Sequence, residues 1–469
     1  MPVVKSPSTQ PRQRQRLGLP LLILAAAQLV ISLDYSIVYV ALPSIGSSLG
    51  FSGQDLQWVV SAYVVATGGL LLLGGRATDL LGRRRIFIVA ALLYAVSSLV
   101  GGLSDSAGIL IAVRAVQGIG GALLFPAALS LINTLYEEGP GRNRALAAWG
   151  AAGAGGLCFG SLLGGVLVDT FGWPAVFLVN VPLAGGIALA GTFLFPADGP
   201  LSRQRDFDLL GALTATVGIT LLVFVLVHAP EAGWGSRSVL VCTALSVISL
   251  ALFVLVETRT RAPLTPGHLF RHRSLLGAMA LTALFSATFS SLPFFLTLYF
   301  QTVHGYSAMA TGAAFLVPAV VVAAGTKVGE KAVAALGLRT MLLGGMALGA
   351  VGTLLLALAL SADGSYTRLL PGIVLLSLGQ GAAWTGMWIA AAAGVPAQDQ
   401  GIASGLASTT LQVGSAVGLA VLVAVAGTGS DGLTTAGLLD GVRDAVYVIT
   451  AGICLGAVAL LSFRRRADH

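Results

Sequence analysis

An all-α polytopic membrane protein is the fold class this sequence predicts, on three observations. Of its 469 residues, 56% are hydrophobic and 10% charged, where a soluble globular chain carries about 25% charged residues. The apolar residues form long blocks, and a helix needs about 20 such residues to cross the hydrocarbon of a bilayer. The Lys and Arg residues stand at the ends of these blocks, as they do in loops retained on one side of a membrane. The mean hydropathy of +0.90 agrees. So do the 61 glycines, because small residues let helix backbones approach closely in lipid.

A formal charge of +7 and a pI near 9.6 raise nucleic acid as a partner. No soluble stretch is left to hold a duplex, so the cations are read as a positive-inside signature. Cys158, Cys242 and Cys454 lie far apart in apolar stretches, which gives neither a disulfide framework nor a metal-binding spacing. The basic start MPVVKSPSTQPRQRQR precedes an apolar run of about 25 residues. A cleavable signal has an apolar core of about 7–15 residues, so this run is expected to remain as the first span.

Taken in order, the blocks predict fourteen spans, at roughly 17–42, 56–74, 86–104, 107–135, 145–168, 174–195, 208–228, 238–257, 274–301, 308–326, 340–361, 367–392, 401–427 and 444–463. With the N-terminus inside, the cytoplasmic side collects 22 of the 26 Lys and Arg residues, while Arg237, Arg368 and Arg443 fall outside. Both termini are then expected in the cytoplasm.

The remaining cation is Arg114, inside span 4, and one acid, Asp34, lies inside span 1 in the stretch ISLDYSIVYVALP. Asp34 is about eight residues, and Arg114 about seven, from the outer ends of antiparallel spans, so the rise of about 1.5 Å per residue places them at similar depth. Isolated in lipid, each would cost about 2.5–3.5 kcal/mol. At matched depth they can offset each other, with protein or water around them. Burial favours the protonated acid and a neighbouring cation favours the carboxylate. A change in surroundings can therefore move a proton on or off Asp34, and Asp34 with Arg114 is the candidate proton-coupling pair.

Between spans 2 and 3 the sequence reads GRATDLLGRRRIF, residues 75–87. Gly75 and Gly82 suit a tight turn, Asp79 ends a helix, and Arg83 to Arg85 form a cationic cluster. Span 4 carries RAVQGIGGA, in which Arg114, Gln117, Gly118 and Gly121 share one helix face. Span 5 contains GLCFGSLLGG, residues 156–165, and with Gly153 the residues Gly156, Gly160 and Gly164 make a smooth groove, with Gly165 beside it. On these motifs the chain resembles the major facilitator superfamily of transporters. The LD-x-x-I-V-x-x-ALP pattern of span 1, LQWVVSAY at 56–63 and FGWPAVFLVNVP at 171–182 resemble its fourteen-helix drug:proton antiporter branch. Two positions depart from that branch: Ser161 stands where a proline normally follows the middle glycine, and Tyr39 where asparagine is usual.

The resemblance implies a cytoplasmic tail 1–16, a six-helix bundle 17–196, inserted helices 197–262, a second six-helix bundle 263–463 and a cytoplasmic tail 464–469. The second half repeats the loop faintly in GTKVGEKAVAALGLR, residues 325–339. The halves would rock around a midplane site, with Gly75, Asp79, Gly82, Arg83 and Arg84 at the cytoplasmic gate and the glycine row permitting helix movement. No Walker loop is present, so no cofactor is expected and the proton gradient is the expected drive. The expected partners are the bilayer, protons and a small lipophilic substrate, with no nucleic acid, and a monomer is expected. Substrate-pocket candidates are Gln117, Phe294, Phe295, Gln301, Gln380, Trp384, Trp388 and Gln412, apolar walls with a few polar anchors. Spans 9–14 contain no mid-membrane acid, so neutral, zwitterionic or monocationic lipophiles are expected over dications. The expected function is proton-coupled drug export across the cell membrane. A nutrient importer is disfavoured by the glycine row, and a membrane sensor would need a signalling domain or long tail beyond ALLSFRRRADH.

Overall fold

The structure is a computed structural model and describes residues 18–51, 55–136, 140–199, 209–260, 273–392, 400–428 and 435–462. The basic tails 1–16 and 464–469, Arg203, Arg205 and most of the linker 257–273 lie outside the described residues, as do the side chains of Asp79 and Cys158.

The described residues form helices α1 (Gly18–Leu49), α2 (Trp58–Leu81), α3 (Arg83–Gly102), α4 (Ala107–Leu135), α5 (Pro140–Phe171), α6 (Asn180–Leu194), α7 (Leu209–Ala232), α8 (Arg237–Arg259), α9 (Arg273–Phe289), α10 (Leu316–Leu336), α11 (Leu338–Ala359), α12 (Tyr366–Ala392), α13 (Gln400–Thr428) and α14 (Thr435–Ser462). Among them, 12 stretches are long and apolar enough to cross a membrane by length and composition. Helices α2 and α7, each of 24 residues, are the other two long ones. Twelve spans is the number that length and composition establish among the described residues.

Local chemistry sets the breaks. Ser106 caps α4 by accepting from the Ile109 amide at 3.3 Å, a stabilisation of about 1 kcal/mol. Helix α9 stops at Phe289 before Pro293, which has no amide hydrogen to continue a helix. A short helix Leu292–Leu298 and a wider turn Tyr299–Val303 follow. A second short helix, Ala308–Ala314, is capped by Ser307 and precedes α10, whose early Pro318 explains that break.

Two sequence expectations are corrected at the α2–α3 junction. Helix α2 continues to Leu81, so Gly75 and Asp79 lie within it, and Asp79 does not end it. Gly82 alone makes the turn, at φ 103°, a backbone conformation that a side chain would strain. Gly337, at φ 80°, joins α10 to α11 through the same kind of single-glycine joint. The faint repeat at 325–339 thus has a backbone counterpart.

Packing divides the helices. Helix α1 lies along α5, α4 packs against α2 and α3, and α3 packs against α6. In the second half, α9 packs on α13, while α12 packs on α10 and α11 and α14 on α11. Helix α7 touches both α2 and α13, and α8 packs chiefly on α7. Helix α8 buries only Val239 and Ser246 and exposes Leu240, Val241, Val247 and Ile248. A helix so apolar on its free faces belongs against lipid. Below, the far side is the side at which α1 ends, the outside on the topology expected from cation bias; the near side is the opposite one.

Candidate functional site

Helix α1 runs unbroken through Asp34, and its packing against α4 and α6 turns that carboxylate toward them. Arg114 lies two turns into α4, below its Ser106 cap. Their side chains meet at 2.7 Å, with 0% of Asp34 and 1% of Arg114 exposed. The carboxylate also accepts from Gln117 Nε2 at 2.9 Å and from Asn180 Nδ2 at 2.7 Å. Arg114 in turn donates through Nε to the Val59 carbonyl at 2.8 Å and through a terminal nitrogen to Gln117 Oε1 at 2.7 Å. Its guanidinium lies 4.5 Å from the Tyr63 ring centre and 5.9 Å from that of Phe177, a cation–π placement that partly replaces lost water. Gln117 Nε2 is shared with Ser98 Oγ at 3.0 Å.

The cluster therefore joins α1, α2, α3, α4 and α6 inside the first half. Two ions taken from water cost several kcal/mol each unless geometry and further hydrogen bonds offset that cost. Here each oxygen of the carboxylate has a donor. Sequence reasoning missed Asn180, Ser98 and Tyr63. Asn180 carried a signal, as the one amide in the apolar stretch FLVNVP; the other two did not, since only tertiary packing places them.

The glycine row receives α1. A methyl group at Gly156 would meet the Leu29 carbonyl oxygen at 2.6 Å, one at Gly160 would meet Ser36 Oγ at 2.8 Å, and one at Gly164 would meet Ile37 at 2.8 Å. Ser36 Oγ donates to the Leu157 carbonyl at 2.9 Å across the same seam. Gly165 faces the other way, against the Ala308 and Met309 backbone of the second half.

The gate-loop arginines bind within their own half. Arg83 bonds to Thr134 on α4, and Arg84 to the Thr192 carbonyl on α6. Asp198, not singled out from sequence, caps α3 by accepting from the Arg84 and Arg85 amides at 3.1 and 2.9 Å.

The pocket candidates separate into distinct places. Gln380, Trp384 and Trp388 share one face of α12, where Trp384 is 37% exposed and 5.8 Å from both Trp388 and Phe285. Phe294 and Phe295 form a buried edge-to-face pair. Gln301 and Gln412 sit where the halves meet: Gln301 Nε2 donates to the Val40 carbonyl at 2.8 Å, and Gln412 packs against Gly68. Gln117 belongs to the ion-pair cluster. Other bonds joining the halves run from Tyr39 Oη to the Ser290 carbonyl at 3.4 Å and from the Ala308 and Met309 amides to the Asp169 carboxylate at 3.2 and 3.0 Å. The Asp169 clasp closes the halves at the far side. An apolar cavity of about 410 Å³ lies between α2 and α4, lined by Leu70, Leu73, Ile119 and Leu123 among others. Among the described residues, no group of three or more His, Cys, Asp or Glu side chains is placed to hold a metal ion.

The sequence model of the Major Facilitator Superfamily matches residues 24–419. The chain belongs to that superfamily. This facilitator chain is a transporter and not an enzyme. It is 38% identical over 448 residues to the puromycin resistance protein of Streptomyces alboniger, a match covering 94% of this chain and 86% of that protein. It is 39% identical over 417 residues to the cephamycin export protein of Amycolatopsis lactamdurans, covering 88% and 85% of the two chains. A crystal structure of a nucleoside transporter aligns over 95% of this facilitator chain and 100% of its own, at TM-score 0.66 and 12% identity, a likeness of fold.

Proposed function

We propose that this protein is a proton-coupled antiporter that exports lipophilic antibiotics across the cell membrane by alternating access. The observation that carries the reading is the Asp34–Arg114 pair, fully buried yet supplied with three donors to the carboxylate. An ionisable residue kept inside a membrane span is by default functional. Asp34 carries the proton, and Arg114 sets how tightly it is held. Relatives named for puromycin resistance and cephamycin export support an antibiotic as cargo.

In this reading α2 and α7 also cross, making fourteen spans, since 24 residues of helix rise about 36 Å against a core of about 30 Å. An even number returns both termini to the cytoplasm. Helices α1–α6 and α9–α14 are the moving halves, and α7 and α8 are the insertion. The aromatic face of Trp384, Trp388 and Phe285 offers a wall for a ring system, with Gln380 as a polar anchor. Glycine packing between α1 and α5 lets the first half shift without breaking side-chain interlocks.

Transport into everted vesicles, with a panel of lipophilic compounds and a proton uncoupler, tests the reading. Energised accumulation that collapses on uncoupling is expected. Accumulation indifferent to the uncoupler would sink it.

A further inference from the structure

Three buried polar atoms beside the ion pair lack a hydrogen-bond partner: Tyr63 Oη, Tyr94 Oη and Asn180 Oδ1. Buried polar side-chain atoms are paired in the large majority of cases, and leaving one unpaired is unfavourable. The two tyrosine hydroxyls, which are neighbours, point to a shared occupant. Both tyrosine side chains are almost wholly buried, at 2% and 0% exposure.

Their placement gives the cluster a direction. The Tyr63 ring lies under the Arg114 guanidinium, while its hydroxyl lies beside Gly121, where an added methyl would come within 2.8 Å. Gly121 is two turns along α4 from Arg114, toward the near side. The Tyr94 ring packs against Gly120, and one turn along α3 from Tyr94 stands Ser98, which holds Gln117. Gln117 itself bonds to Asp34. Thr67 continues the line on α2, bonded to the Gly118 carbonyl. The two tyrosine hydroxyls come within weak hydrogen-bonding reach of each other, and Tyr63 of Thr67, but neither hydroxyl has a partner at full hydrogen-bond geometry. Groups this close and unbonded suit a bridging water, which needs two to four polar partners.

We propose that Tyr63 and Tyr94 hold ordered water against the Asp34–Arg114 cluster, and that this water accepts the proton leaving Asp34 toward the near side. The proposal rests on the antiport reading above. In the step, the O–H bond of the Asp34 carboxylic acid breaks and the proton passes to the held water, forming hydronium. The hydronium returns to water by giving a proton to solvent admitted from the near side as the halves rock, and Asp34 remains as a carboxylate paired with Arg114. The tyrosine hydroxyls stay intact and orient the water. They are positioning residues, and Arg114 and Asp34 are the charged groups they face.

The test uses purified full-length protein in proteoliposomes. Tyr63→Phe, Tyr94→Phe and the double variant keep the rings, including the one under Arg114, and remove only the hydroxyls. Net drug transport driven by a pH gradient is compared with drug counterflow at equal pH, which requires no net proton release. The double variant is expected to lose net transport about tenfold while counterflow falls less than twofold, and its solvent deuterium isotope effect should rise. Wild-type net transport in the double variant would overturn the proposal. Equal losses in net transport and counterflow would overturn it too, since the hydroxyls would then serve only packing; if the double variant does not fold, the single variants decide by the same ratio. Failure of antiport itself is recognised separately, because wild-type transport would then ignore the pH gradient.

Discussion

Replacing Asp34 by asparagine is the perturbation whose outcome the geometry defines most closely. One carboxylate oxygen accepts from Gln117 and Asn180, and the other from Arg114. Asparagine keeps the two amide bonds if its oxygen takes the first position. Its NH₂ then faces the Arg114 nitrogen, a donor against a donor, at a distance that was 2.7 Å. Arg114 is left as a buried cation held by the Val59 carbonyl, Gln117 and the Tyr63 ring. Removing one partner of a buried pair costs about 3–5 kcal/mol, and the retained amide bonds put this variant near the lower end, about 3 kcal/mol. Arg114→Gln should cost a similar amount. The double variant Asp34→Asn, Arg114→Gln restores a neutral hydrogen-bonded pair and should regain most of the loss. Thermal unfolding of the detergent-purified proteins measures this cycle, and uncoupler-sensitive uptake into everted vesicles measures function. Stability is expected to return in the double variant, while proton-driven accumulation stays absent in all three. A double variant that regains both would refute the proton-carrier argument and leave the pair a structural tie.

Four further outcomes follow from the same contacts. Gly156→Ala should lower thermal stability by about 1–3 kcal/mol, the usual cost of overpacking, and slow transport, because the methyl meets the Leu29 carbonyl oxygen at 2.6 Å. Asp169→Asn removes a negative charge from the start of the helix Ala308–Ala314; helix-end charges are worth about 0.3–1 kcal/mol, so far-side cysteine labelling should rise about two- to fivefold. Trp384→Ala should raise the KM for an aromatic substrate about tenfold and lower thermal stability by about 1–3 kcal/mol through its lost contacts with Phe285 and Trp388. In resistance tests, monovalent or neutral lipophiles should be protected against more strongly than dications, and the reverse ranking would show that a further acid meets the cargo.

The helices were legible because hydrophobic blocks and loop cations are properties of local sequence. Ends were less so: span 2 was expected to stop near residue 74, but α2 runs to Leu81. Arg76 and Asp79 looked like loop residues, yet helical hydrogen bonding continues past them until Gly82 supplies the positive φ that ends it. Residue type alone marks the pocket candidates in the sequence. The structure places Gln301 and Gln412 between the halves and Gln117 within the ion-pair cluster, positions that residue type alone does not distinguish.

The chain by itself determined that a membrane is its solvent, where most of its helices lie, and that Asp34 and Arg114 cannot face lipid. These follow from the cost of placing polar groups in hydrocarbon, which every residue meets independently of the fold. Only the tertiary structure decided that Asn180 and Ser98 complete the cluster, that Tyr63 lies beneath the guanidinium and that Asp169 clasps the opposite half. Those contacts join residues from 80 to 146 positions apart in the case of Asp34 alone. Side-chain meetings across separate helices depend on how the helices rotate and tilt against one another, a quantity no local stretch encodes.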